Sequence, residues 1–267
     1  MNKTEIEQLL LKHGLERVAD PLLALARPAI RIHTLPADDS AMPLGASKWG
    51  LPHLPPDIEW PEALDFIGQF NLADIHPLVH EHWLPETGML SIFYGTQSHQ
   101  HRIENCRIGY WDVDPQQLVQ HTQPKGMTFP ACSLQFTEAW TLPGCEAVEL
   151  QALNLTTAEY LAYVEIDPSI NAGDDGEQQL LGHGYYLDST PFLAASGRES
   201  AWMTSEPHQR MAIEREISTL WLNLLQMQNA PHLNMEWLDS GIAHFSIERE
   251  ALRQGDFSRV WVDVDFI

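Results

Sequence analysis

Histidine is the residue type with the most chemical potential in this chain, and there are thirteen. HPLVHEH (76–82) carries His76, His80 and His82, and HQH adds His99 and His101. His76 and His80 are one helical turn apart, a spacing that can hold zinc. Pro77 sits inside the pair, however, and no H-E-x-x-H is present. A structural zinc also wants four committed ligands. These histidines read as solvated loop residues, and no metal site is expected. NAGDDGE (171–177) has the acidity of a calcium loop without the alternating D-x-[DN]-x-[DN]-G register, so it reads as a turn. His183 lies between two glycines in LLGHG (180–184), a titratable ring in a loop that can line a pocket. Lys48 is the last basic residue before 53 residues that contain none. Beside Trp49 it is placed to meet an anion or a carbonyl. Trp60 closes the same proline-rich stretch. Lys48, Trp49, Trp60 and His183 are therefore the candidate ligand-binding residues. The plainer alternative is a solvated lysine and loop histidine with two indoles covering the core. G-x-S-x-G, G-x-x-x-x-G-K-[ST] and G-x-G-x-x-G are all absent, and no catalytic or cofactor-binding residue is assigned.

The elements that must position such residues are legible in part. Thr4-x-x-Glu7 resembles a capping box ahead of Ile6, Leu9 and Leu10 at helical spacing, with Gly14 to end the helix. ADPLLALA (19–26) reads as a second helix closed by Pro28. AIRIHTL (29–35) alternates as a half-buried strand does. In SKWGLPHLPPDIEWP (47–61) four prolines fix φ and hold their preceding residues extended. Lacking N–H groups, they exclude a central strand, so the stretch reads as a pinned approach across a sheet. SLQFTEAWTLP (133–143) is another strand. LTTAEYLAYVEI (155–166) can place Leu155, Tyr160, Leu161 and Val164 on one helix face. NAGDDGEQQ (171–179) reads as a polar loop. PHQRMAIEREI (207–217) starts with a proline suited to a helix N-terminus. In GDFSRVW, Asp256 is expected to cap a turn and Arg259 to pair with it or lie on the sheet.

One pattern occurs twice. FIGQFNL, LPETGMLSIFYG and CRIGYWDVD fill the region of about 64–114. NLLQMQ, WLDSGIAHFSI and SRVWVDVDF fill about 222–266. Gln69 aligns with Gln226, Gly88 with Gly241 and Arg107 with Arg259. Each copy has three apolar segments of strand length, so the chain is read as one domain with an internal duplication. Strands separated by scattered helices give an α+β class: antiparallel sheets from two repeated three-stranded units with peripheral helices.

Composition narrows the function classes. The chain has 267 residues, 44% of them hydrophobic, with nine tryptophans, enough for a substantial core. No segment approaches the roughly 20 unbroken apolar residues of a membrane span. Lys3, Glu5 and Glu7 fall where an export signal needs its apolar run, so a cytoplasmic location is expected. Cys106, Cys132 and Cys145 have no C-x-x-C spacing and read as reduced thiols. The net charge is −22, and residues 49–197 hold twenty acidic residues against Arg102, Arg107 and Lys125. Such a surface repels phosphate backbones, which excludes nucleic acid and anionic membranes and suits a basic protein partner.

SKWGLPHLPPDIEWP with FIGQFNL, the turn LPETGMLSIFY, LLGHG and DFSRVW occur in one order over nearly the whole chain. Together they resemble the YwqG-like family, a bacterial domain of unknown function. Trp49-Gly50-Leu51 and Trp237-Leu238-Asp239 depart from the family's usual aromatic-Gly-Gly and Trp-Gly-Asp. The resemblance implies a shared fold and carries no catalytic residue. The expected function is a non-catalytic cytoplasmic protein-binding domain, possible forms including an immunity-like one, using the acidic surface. The alternative is an enzyme or small-ligand-binding protein with a cleft between the repeated halves.

Overall fold

The computed structural model describes residues 1–79, 83–95, 105–124, 126–173, 177–187, 190–237 and 241–265. His80, His82, His99, His101 and residues 174–176 of the acidic loop lie outside the described residues. The strands are β1 (Arg27–Pro36), β2 (Lys48–Trp49), β3 (His53–Leu54), β4 (Asp65–Asn71), β5 (Met89–Tyr94) and β6 (Cys106–Trp111). They continue as β7 (Val119–Gln120), β8 (Cys132–Thr141), β9 (Gln178–Leu181), β10 (Trp221–Gln228), β11 (Ile242–Glu248) and β12 (Trp261–Asp265). The helices are α1 (Lys3–Lys12), α2 (Ala19–Ala24), α3 (Leu72–Ile75), α4 (Val148–Gln151) and α5 (Thr157–Asp167). The last four are α6 (Phe192–Ala195), α7 (Glu199–Met203), α8 (Pro207–Leu220) and α9 (Arg249–Arg253). The class is α+β.

Among the described residues, ten strands form one sheet in the order β12-β11-β10-β9-β1-β8-β2-β4-β5-β6, and β3 pairs with β7 apart from it. Every pairing is antiparallel. Long β1 and β8 make the centre, each is flanked by a short strand, and a three-stranded meander closes each end. Period-two alternation then splits the faces. One face carries Phe70, Leu90, Ile92, Leu225, Met227 and Phe245 into the main core. The other carries Gln69 opposite Ser91 and Gln226 opposite His244. A second cluster packs α1, α2 and α5 around Leu10, Leu22, Tyr163 and Ile166. On the polar face, Leu54, Leu64, Phe66 and Phe93 cover the β4–β6 end. Phe192, Ile217 and Trp221, with Tyr186 and Trp261, cover the β10–β12 end.

The two glutamines serve the same purpose. Gln69 Oε1 accepts from the His53 N–H at 2.7 Å, and its Nε2 donates to the Ala46 carbonyl at 2.8 Å. Gln226 Oε1 accepts from the Tyr185 N–H at 2.7 Å, and its Nε2 donates to the Asn171 carbonyl at 3.3 Å. Each fastens a connecting segment to the sheet. Register breaks fall between Phe66 and Gly68 and between Asn223 and Leu225, two residues before each glutamine. Arg107 lies opposite Phe93 within β6, whereas Arg259 precedes β12, so the two arginines do not share a register position.

Several elements differ from expectation. Asn2 caps α1 in a box with Glu5, because its side chain lies one residue before the helical backbone begins and Thr4 is already inside it. Pro28 does not close α2; it lies within β1 opposite Trp140, at a position that needs no N–H. Lys48 and Trp49 do form a central strand, between β8 and β4, since the prolines begin only at Pro52 and leave both N–H groups free to pair. Gln178 and Gln179 belong to β9 and are fully buried, so the polar loop ends earlier. On α5, Tyr163 and Ile166 face the core, while Leu161 is 62% exposed and Tyr160 and Val164 are also exposed. Asp256 caps its turn through Ser258, and Arg259 pairs with Glu248 at 3.1 Å.

Candidate functional site

The segment leaving β9 builds the most elaborate site. Gly182 turns the chain at φ +71, and a Cβ there would lie 2.6 Å from Thr141 Oγ1 and 2.7 Å from the Ala29 Cβ. Only glycine fits both the conformation and the contact. The turn is pinned: the His183 N–H donates to Thr141 Oγ1 at 2.8 Å, and Gln179 Nε2 donates to the carbonyls of Leu181 and His183. His183 Nε2 lies 2.9 Å from the Leu25 carbonyl, which can only accept. That fixes the proton on Nε2 and leaves Nδ1 as a lone-pair acceptor. Burial, with Arg27 nearby, holds the ring well below its ordinary value, so it is neutral.

Beyond His183, a cavity of about 370 Å³ opens between the sheet and its helices. His183 and Tyr186 form one wall, Val148 and Glu149 of α4 another, and Trp202, Glu214 and Ile217 the side made by α7 and α8. Trp202 is fixed twice: its Nε1 donates to Glu214 at 2.7 Å, and the Arg210 guanidinium lies 4.6 Å over its ring. Arg198 grips Glu216 with two bonds, tying the start of α7 to α8. Among the described residues the lining carboxylates are Glu146, Glu149 and Glu214, and the one lining cation is Arg27. A groove of about 300 Å³ shares Val148, Glu149 and Ser218 with the cavity.

The four candidate residues do not converge. His183 lines the cavity. Lys48 lies at the opposite half of the sheet, fully buried and paired with Asp39. Asp39 is also bonded by the Leu51 N–H. His53 nearby is lowered to about 4 by burial first and Lys48 second. Trp49, adjacent to Lys48, points to the other face and packs edge-on against Phe70. It lies so close over Gly68 that a Cβ there would overlap its ring. Trp60 covers Phe93 edge-on and donates to the Leu64 carbonyl at 3.0 Å. Both indoles thus pack protein.

Near the cavity, Cys145 donates to Asp167 Oδ2 at 2.8 Å, and burial pushes its thiol up. Burial likewise raises Asp167. A protonated thiol is a poor nucleophile. Among the described residues, no group of three or more His, Cys, Asp or Glu is arranged to hold a metal ion.

Residues 47–265 match a family described as a domain of unknown function, DUF1963. The chain belongs to the DUF1963 family. The matched region contains all eleven described strands from β2 to β12, leaving β1 and the first two helices outside it, and every cavity-lining residue from Gly144 to Ser218, with Arg27 outside. No curated protein sequence matches the chain. Tyr186, Trp202 and Glu149 were not legible as site residues: they are single residues on separate short elements, and only the Gly182-His183-Gly184 punctuation signalled the pocket.

Proposed function

We propose that this DUF1963 chain, taken as a YwqG-like protein, is a non-catalytic binding protein that holds a small organic molecule beside His183. The observation that carries this reading is the cavity, whose size and mixed apolar and polar walls suit a small ligand. It lies within the β9–β12 half, not between the two halves. Three carboxylates against one arginine disfavour an anion. A high-pKa thiol at Cys145 and a neutral, hydrogen-bonded His183 suit binding better than nucleophilic chemistry. Small molecules released by denaturing the natively purified chain should be identifiable by mass spectrometry. Ser218→Trp, which fills the cavity, should abolish that co-purification; an unchanged set of released molecules would rule the cavity out.

A second reading keeps the acidic surface as the functional feature, with a basic protein partner in the cytoplasm. The charge concentration in residues 49–197 favours it. No helix among the described residues is long and apolar enough to cross a membrane. Capture of a basic protein at low salt and its release at high salt would support this reading; capture unaffected by salt would count against it.

A further inference from the structure

Beneath the cavity wall the sheet carries an unusual concentration of polar atoms with no hydrogen-bond partner among the described residues. His244 is 1% exposed, yet neither ring nitrogen is bonded. Ser246 Oγ, Asn223 Oδ1, Gln179 Oε1 and Trp261 Nε1 are buried and unbonded too. The register puts them together. Gln179 is opposite Gln226, which is opposite His244, and Asn223 is opposite Ser246, which is opposite Trp261. These are adjacent rows on one face of β9–β12. The Tyr186 ring lies 4.7 Å from the His244 ring, tilted by 46°, and also lines the cavity. Buried polar groups are almost always satisfied, and a group of this size without partners marks a place where something else supplies them.

We propose that this floor is the specificity surface for a neutral polyhydroxylated ligand, a sugar or polyol, reached when Tyr186 swings aside. The assignment rests on the cavity reading above. The floor offers donors at Trp261 and one His244 nitrogen, acceptors at the other nitrogen, Gln179 and Asn223, and both at Ser246. Among the described residues it carries no fixed cation for an anionic ligand, and the carboxylate of Asp263, opposite His244 in the same row, disfavours one further. Hydroxyl groups, which donate and accept at once, fit such a mixed set; a carboxylate or an ammonium would leave half of it unmet. Tyr186, Phe192 and Trp202 add flat apolar faces for the C–H side of a sugar ring.

Calorimetry and thermal unfolding of the full chain with glucose, xylitol, choline and acetate test this. Glucose or xylitol should give a saturable heat of binding, weakened at least tenfold by Ser246→Ala and by His244→Leu. Without ligand, both variants should unfold at or above the wild-type temperature, because each removes an unmet polar group. Binding of choline alone would overturn the polyol assignment and leave the cavity reading standing. Binding of no probe would overturn the polyol assignment, while the cavity reading stands or falls on the co-purification experiment. A gain in stability for both variants without polyol binding would show the floor to be filled by water and overturn the assignment. Ser246→Ala and His244→Leu that both destabilise the free protein would mean the floor is satisfied and would overturn it as well.

Discussion

The two ends of the sheet share a framework and use it differently. Gln69 and Gln226 sit in mirrored strands and each bonds one N–H and one carbonyl of a crossing segment. On the face that carries Gln69, Ser91 accepts from Trp111 Nε1 at 3.1 Å and Lys48 is paired with Asp39, while on the opposite face the buried indole N–H of Trp49 has no hydrogen-bond partner among the described residues. Around Gln226, His244 and Ser246 are unanswered. The β4–β6 end is covered by closely packed rings, Trp60 and Phe66 against Phe93, whereas the β10–β12 end has a cavity under its helices. Satisfied polar groups specify and stabilise a fold; unsatisfied ones cost stability and persist where a ligand repays them. On the proposal made above, the β4–β6 end is the scaffold and the β9–β12 end is the one that binds.

The comparison breaks most sharply at the packed end. Trp49→Ala should cost about 3–5 kcal/mol, as a fully buried ring packed on Phe70 and Gly68. Trp60→Ala should cost less, since its ring is half-buried. Denaturant unfolding measures both, and ligand binding should survive in each. Lys48→Ala should lose less, about 1–3 kcal/mol, because Asp39 is partly exposed and keeps the Leu51 N–H when its ion-pair partner is removed. If either Trp49→Ala or Lys48→Ala leaves stability intact and removes binding, the assignment of the two ends is reversed.

Gln69→Ala and Gln226→Ala sharpen the shared part. Each strands an N–H and a carbonyl, and each should cost about 1–3 kcal/mol. A large cost at one position and none at the other would show that the two glutamines are not doing the same job.

Acid titration gives a smaller effect. Burial lowers His244 to about 3 in the folded chain, below its ordinary 6.5. The unfolded chain therefore takes up a proton first as pH falls. Through His244 the fold is unpenalised above the ordinary value and loses stability as pH drops from there toward 3, by up to about 1.4 kcal/mol per pH unit. His53 at the other end is lowered to about 4 and acts in the same direction. Urea midpoints at pH 7 and pH 5 should fall less for His244→Leu than for wild type.

Much of the scaffold was legible in the sequence and most of the site was not. The outer meanders announced themselves through alternation, a turn glycine and strand-length spacing. The inner strands β2 and β9 did not, because two to four residues are too few to show a period and Lys48, Gln178 and Gln179 look like surface residues until the sheet buries them. The same blindness hid the floor: a histidine or serine inside a strand reads as solvent-facing. Tyr160, Leu161 and Val164 were apolar at helical spacing, yet the neighbouring face with Tyr163 and Ile166 was the one that met α1 and α2. His183 was the exception, because two flanking glycines mark a chain that must turn tightly.

The contrast between the ends is tested most directly by two serines. Ser91 and Ser246 are both fully buried in the middle strand of their meander, and substitution by alanine barely changes volume. Ser91→Ala strands the Trp111 N–H and should destabilise by about 1–3 kcal/mol in equilibrium urea unfolding. Ser246→Ala removes an unbonded hydroxyl and should leave stability unchanged or raise it. Equal losses at the two positions would contradict the division of the sheet into a satisfied end and a binding end.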